Sequence, residues 1–146
     1  MVKNRDKEAR RTYHVDVVGR DGESANVQVR EHAFAVNVKK GDGAAGPNAA
    51  ETLLAALGIC LLTNVNDLAA KMHLQIDAAR VEIDGIRRDE PPGMVQIRYR
   101  LILESPAPVD KLDKLRRKAF EWGTVSNTLL RGVPVNGELV AEKAAG

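Results

Sequence analysis

The sequence predicts an α+β fold in which antiparallel strands flank one long helix. Three observations carry this. The first forty residues hold three short alternating stretches separated by turn residues. Residues 48–72 then run without proline and are rich in Ala and Leu, as a helix requires. Beyond them, two longer alternating stretches flank the turn Asp89-Glu90-Pro91-Pro92-Gly93, which reads as a hairpin.

Taken in order, Thr12–Val18 alternates loosely, and Gly19-Arg20-Asp21-Gly22 supplies the positive-φ chemistry of a tight turn. Asn26–Arg30 and Ala33–Val38 alternate again and complete a meander; 41–47 (G-D-G-A-A-G-P) is a loop. Asn48 is the expected N-cap of the helix, with Glu51 three residues on to form a capping box. Within it Gly58 costs about 1 kcal/mol relative to alanine, which makes sense if another backbone packs closely there. Gln75–Ile86 and Val95–Leu103 are the hairpin strands. Leu112, Leu115, Ala119 and Trp122 recur at helical spacing over Val109–Trp122. A short helical or irregular piece, Val125–Arg131, precedes a last strand near Val135–Val140. The expected division is a charged leader over residues 1–12 and a single domain over 13–146.

Composition excludes several classes of function. Only 3% of residues are aromatic, too few for a base-stacking platform, and a net charge of +2 with both signs interspersed gives no polyanion footprint, so no nucleic-acid partner is expected. The N-terminus lacks the apolar core of a signal peptide, and no apolar run reaches the ~20 residues of a bilayer span; a cytoplasmic protein without a membrane partner is expected. One cysteine rules out an internal disulfide, a CxxC pair and a thiolate-rich metal site. His14, His32 and His73 are scattered, so no metal or cofactor is expected.

That cysteine, Cys60, lies inside the apolar stretch L-L-A-A-L-G-I-C-L-L-T-N-V. It sits about 18 Å along the helix from Asn48, too far for the helix dipole to favour a thiolate. Its apolar neighbours Leu57, Ile59, Leu61 and Leu62 oppose ionisation. A buried, inert thiol is the ordinary outcome unless another segment brings a positive charge, and arginines are the candidates. Asn64, Asp67 and Lys71 follow Cys60 at i+4, i+7 and i+11, so the sulfur shares a mixed face that suits either a solvent stripe or a partly open site. Arg20, in its Asp-Gly turn, reads alone as a solvent-facing side chain.

Several stretches together resemble the OsmC/Ohr family, named for osmotically induced and organic hydroperoxide resistance proteins. Residues 46–60 (G-P-N-A-A-E-T-L-L-A-A-L-G-I-C) are similar to the family helix pattern G-P-x-P-x-E-L-L-L-A-A-L-G-x-C. Val125-Ser126-Asn127, followed by Arg131-Gly132-Val133-Pro134-Val135, resembles the second motif, C-P-x-S-N. Gly19-Arg20-Asp21-Gly22 resembles the turn carrying the family's arginine. The resemblance extends from about Tyr13 to Val140. It implies an intertwined homodimer with an OsmC/Ohr-like fold, and reduction of organic hydroperoxides at sites built at the subunit interface. Carried over by position, Cys60 falls on the peroxide-attacking cysteine and Arg20 on the arginine that stabilises its thiolate.

Two positions depart from the family. Gly123 stands where the second cysteine would be, so the usual two-cysteine cycle is impossible within one chain. The acid of a second family pattern, G-x-N-P-E, falls on Ala50, whereas Glu51 matches the acid of the first. Two functions follow as expectations. One is a hydroperoxide reductase acting through Cys60, Arg20 and Glu51, with an external thiol as reductant. The other is a catalytically inactive dimer that binds an apolar small molecule at the subunit interface.

Overall fold

The computed structural model describes residues 10–41 and 43–142; residues 1–9 of the expected leader lie outside these. The chain divides into two compact units, Met1–Leu53 and Leu54–Gly146.

The first unit is an antiparallel meander of β1 (Asp16–Gly19), β2 (Ser24–Val29) and β3 (His32–Asn37), in the order β1-β2-β3. The Asp-Gly turn behaves as its residues dictate. Gly22 takes φ +77°, and Asp21 Oδ1 accepts from the backbone N–H groups of Glu23 at 2.9 Å and Ser24 at 2.8 Å. The register sets Val17 opposite Val27 and Val27 opposite Phe34, one apolar row across three strands. Gly46 has φ +145°, and a side chain there would meet the Ala35 carbonyl oxygen at 2.9 Å, so only glycine lets the loop pass β3 this closely. The strands begin and end a few residues away from the alternating stretches, most of all β1, because pairing rather than alternation sets their ends.

Helix α1 (Ala49–Lys71) starts with the expected capping box, complete in both directions. The Glu51 N–H donates to Asn48 Oδ1 at 2.8 Å, and the Asn48 N–H donates to Glu51 Oε1 at 3.0 Å. At 23 residues, with a mean hydropathy of 1.6 over its most apolar 18-residue stretch, α1 is long and apolar enough to cross a bilayer, which corrects the expectation that no segment reaches that measure. Its stripe Leu57, Leu61, Val65 and Ala69 is nevertheless buried in protein.

In the second unit β4 (Ala78–Asp89) and β5 (Pro92–Glu104) form the hairpin, turning over Glu90-Pro91. Helix α2 (Val109–Glu121) lays Leu115 and Ala119 against Val65 and Ala69 of α1. Leu101 and Leu103 of β5, with Leu68, Met72, Leu74 and Ile76, pack around this centre. Tyr99 of β5 stacks on Phe120 at a centroid distance of 5.6 Å and fixes the end of α2. Gly58 faces the tip of Ile83 at 3.2 Å from where a Cβ would stand, so a side chain, not a backbone, explains that glycine.

Helix α3 (Thr124–Arg131) confirms the helical option for the short piece after Gly123. The last expected strand is corrected: residues 133–142 form no strand among the described residues. A strand needs a neighbour to take its backbone hydrogen bonds, and this segment pairs with none in its own chain.

Candidate active site around Cys60

Cys60 is half-buried at the midpoint of α1, and what lies beside its sulfur is the turn between α2 and α3. Three polar side chains build that turn. Asn64, one helical turn past Cys60, donates its Nδ2 to the Ala119 carbonyl at 3.0 Å and ties α1 to the end of α2. Ser126, 1% exposed, donates its hydroxyl to the Phe120 carbonyl at 2.6 Å and lies 3.1 Å from that of Gly123. Asn127 donates its Nδ2 to the Glu121 carbonyl at 3.0 Å, while its N–H closes on the Gly123 carbonyl at 3.0 Å. Ser126 and Asn127 thus satisfy carbonyls that the end of α2 leaves open. Neither was marked as more than part of a motif in the sequence, because burial of a serine is decided by the fold.

Gly123 is the residue this turn presents to the sulfur. A Cβ built on it stands 3.1 Å from Cys60 Sγ and 3.3 Å from the Phe120 carbonyl oxygen, and it runs into Ser126 Oγ. In a disulfide, with an S–S bond of about 2.05 Å, each Cβ lies about 3 Å from the far sulfur. The position matched to a second cysteine is therefore within bonding geometry of Cys60, and it carries no side chain. The Gly123 backbone, at φ −82° and ψ 129°, would accept any L-residue, so the glycine is set by space and not by conformation.

The other two expected site residues belong to the first unit. Arg20 projects from the β1–β2 turn. With the Asn26 amide turned so that its oxygen faces the guanidinium, Arg20 Nη2 donates at 2.5 Å and Nε at 3.3 Å. Beside it, the N–H groups of Ser24 and then Glu23 hold the Asp21 carboxyl below the usual carboxylate range, which keeps the turn anionic and well formed. Glu51 uses Oε1 in the capping box. The structure thus brings Cys60 together with Asn64, Gly123 and Ser126 and gives Arg20 and Glu51 partners of their own.

Farther along the same face of α1, Asn64, Asp67, Leu68 and Lys71 join Trp122 in lining a pocket of about 330 Å³. Lys71 Nζ and Asp67 Oδ2 pair at 2.8 Å on its rim, and both remain more than half exposed. Among the described residues no group of three or more His, Cys, Asp or Glu is placed to hold a metal ion.

The family model for OsmC-like proteins matches residues 40–138, which take in α1, the hairpin, both later helices and the segment after them. A search of the curated proteins finds no match. Among solved structures, an OsmC-like protein from Mycoplasma pneumoniae superposes with a TM-score of 0.77 at 18% identity, covering 84% of this chain and 89% of that one. An organic hydroperoxide resistance protein OsmC from Legionella pneumophila gives 0.63 at 17%, over 86% and 93%. The organic hydroperoxide resistance protein OhrB of Bacillus subtilis gives 0.58 at 17%, over 82% and 92%. With more than half its length matched by the family model, this chain belongs to the OsmC-like family.

Proposed function

We propose that this protein is a thiol-dependent hydroperoxide reductase acting in defence against oxidative stress, with Cys60 as its only redox-active residue. The observation that carries the reading is the placement of Gly123 against Cys60 Sγ: the two positions that share the chemistry in the family are adjacent, and one has kept its thiol. Similarity to proteins described as organic hydroperoxide resistance proteins supports the same class of substrate.

In the proposed step the Cys60 thiolate attacks an oxygen of ROOH and the O–O bond breaks. The departing alkoxide takes a proton to give ROH, and Cys60 becomes a sulfenic acid. No second thiol exists in the chain, so an external thiol R′SH displaces water to form a mixed disulfide. A second R′SH then releases Cys60 and R′SSR′. Arg20 is proposed to favour the thiolate, the role its motif position implies, with Glu51 as the site's acid. In this reading residues 13–146 act as one domain behind the leader, in the cytoplasm, and as an intertwined homodimer. The exposed Val133, Val135, Leu139 and Val140 on an unpaired extended segment support donation of that segment to a second copy.

The test is to add one equivalent of cumene hydroperoxide to the protein and weigh it. Cys60 gains one oxygen, and dithiothreitol removes it; Cys60→Ser abolishes peroxide consumption. An unmodified thiol after the treatment overturns the proposal. Exposed Ile59 and Leu130 favour a second reading, an inactive dimer that holds an apolar small molecule at the subunit interface. Lipid-like or aromatic ligands would then raise the unfolding temperature, and a flat response across them removes it.

A further inference from the structure

The pocket beside Trp122 has a composition that the peroxide step does not use. Its lining joins the apolar side chain of Leu68 and the exposed Trp122 indole to one carboxylate, Asp67, and one ammonium, Lys71. Its volume, about 330 Å³, is that of a site for a small ligand, since such pockets begin at about 300 Å³. Two of its walls lead to the sulfur. Asn64 is one helical turn from Cys60, about 6 Å along the axis. Trp122 directly precedes Gly123, the residue that lies against Cys60 Sγ.

We infer that this pocket is the docking site of the external reductant, a small thiol carrying both an ammonium and a carboxylate. The inference rests on the proposed one-cysteine chemistry for its role, and on the pocket alone for its ligand. Asp67 takes the ligand's ammonium and Lys71 its carboxylate. The exposed pair between them is weak, so exchanging it for two ligand contacts costs little. The indole face covers the ligand's methylenes, and its sulfur is directed toward Cys60, one helical turn from Asn64. There the thiol attacks the sulfenic sulfur of Cys60, an S–S bond forms and water leaves. A second molecule of the thiol completes the return.

Trp122 is the only tryptophan, so its emission reports on the pocket directly. Wild-type protein is titrated with S-methylcysteine, which has both charges and no free thiol. A saturable change in emission is expected, weakened about tenfold in Lys71→Gln and in Asp67→Asn. In parallel, the oxidised protein is returned with cysteine or with uncharged 2-mercaptoethanol at equal thiolate concentration. Cysteine is expected to act about tenfold faster, and Lys71→Gln to remove that preference. Absence of a saturable signal, or equal rates for the two thiols, overturns the inference even if Cys60 cycles. Saturable binding to a protein whose Cys60 resists peroxide upholds the pocket and removes the hydroperoxide reading instead.

Discussion

The two units differ in how completely each closes its own interior. In the second, Val65, Leu115 and Ala119 are fully buried, and α1, α2, β5 and the segment from Met72 to Ile76 supply the surrounding contacts. In the first, only Ala25 and Val36 are buried among the described residues, while Val17 is 61% and Phe34 47% exposed at either end of the row through Val27. The second region closes a core within a single chain, although Ile59, Leu130 and Val135 stay exposed on it. The other leaves an apolar row and two open strand edges, a surface that suits the proposed dimer.

The largest expected effect tests the closed half. Leu115→Ala leaves a cavity at the centre of the cluster and should cost about 2–5 kcal/mol in denaturant unfolding, at every protein concentration. Phe34→Asp should behave differently: the wild-type midpoint rises with protein concentration and the variant's does not. If both substitutions act independently of concentration, the contrast between the units is wrong.

A second experiment examines the turn beside the sulfur. Gly123→Cys should form a disulfide with Cys60 under mild oxidation, read as loss of free thiol without change of mass beyond two protons. Because the new Cβ runs into Ser126 Oγ, Gly123→Cys/Ser126→Ala should close it faster. A Gly123→Cys protein that stays reduced in both backgrounds would show that the turn is displaced from its position here. Smaller still is the cap of α1. Asn48→Ala removes the acceptor of the Glu51 N–H and should cost about 1 kcal/mol.

The smallest effect is electrostatic. The Arg116 guanidinium, hydrogen-bonded at 2.8 Å, holds the Asp113 carboxyl below its ordinary range. A carboxyl lowered on folding stabilises above its unfolded-state value, and that contribution fades as pH falls through the folded-state value. Asp113→Asn should therefore lower the unfolding temperature slightly at neutral pH, and the difference should vanish in acid. A difference that persists in acid would point to packing in place of charge.

Local chemistry was readable from the sequence wherever it depends on near neighbours. The capping box of Asn48 and Glu51, the Asp-Gly turn and the hairpin around Glu90-Pro91 all need only residues within a few positions. Val135–Val140 reads as a last strand from its residues, but residue type does not reveal whether a partner strand exists, and none does among the described residues. The mixed face of Cys60, Asn64, Asp67 and Lys71 was visible, whereas Trp122 reaches it only because Asn64 pins the end of α2. Gly58 was legible as a close approach, not as an approach by Ile83. The burial of Ser126 depends on where two helices meet, which spacing does not record.

Gly123 also bears on time. A peroxidase with a tethered second thiol stores its oxidised state as an internal disulfide and waits for a reductant in that form, whereas here the sulfenic acid itself must wait. If Cys60 reacts as proposed, this chain stays oxidised until a free thiol arrives, so its oxidised fraction follows the ratio of peroxide to small thiols. The same missing side chain would then make the protein a gauge of the thiol supply as well as a consumer of it.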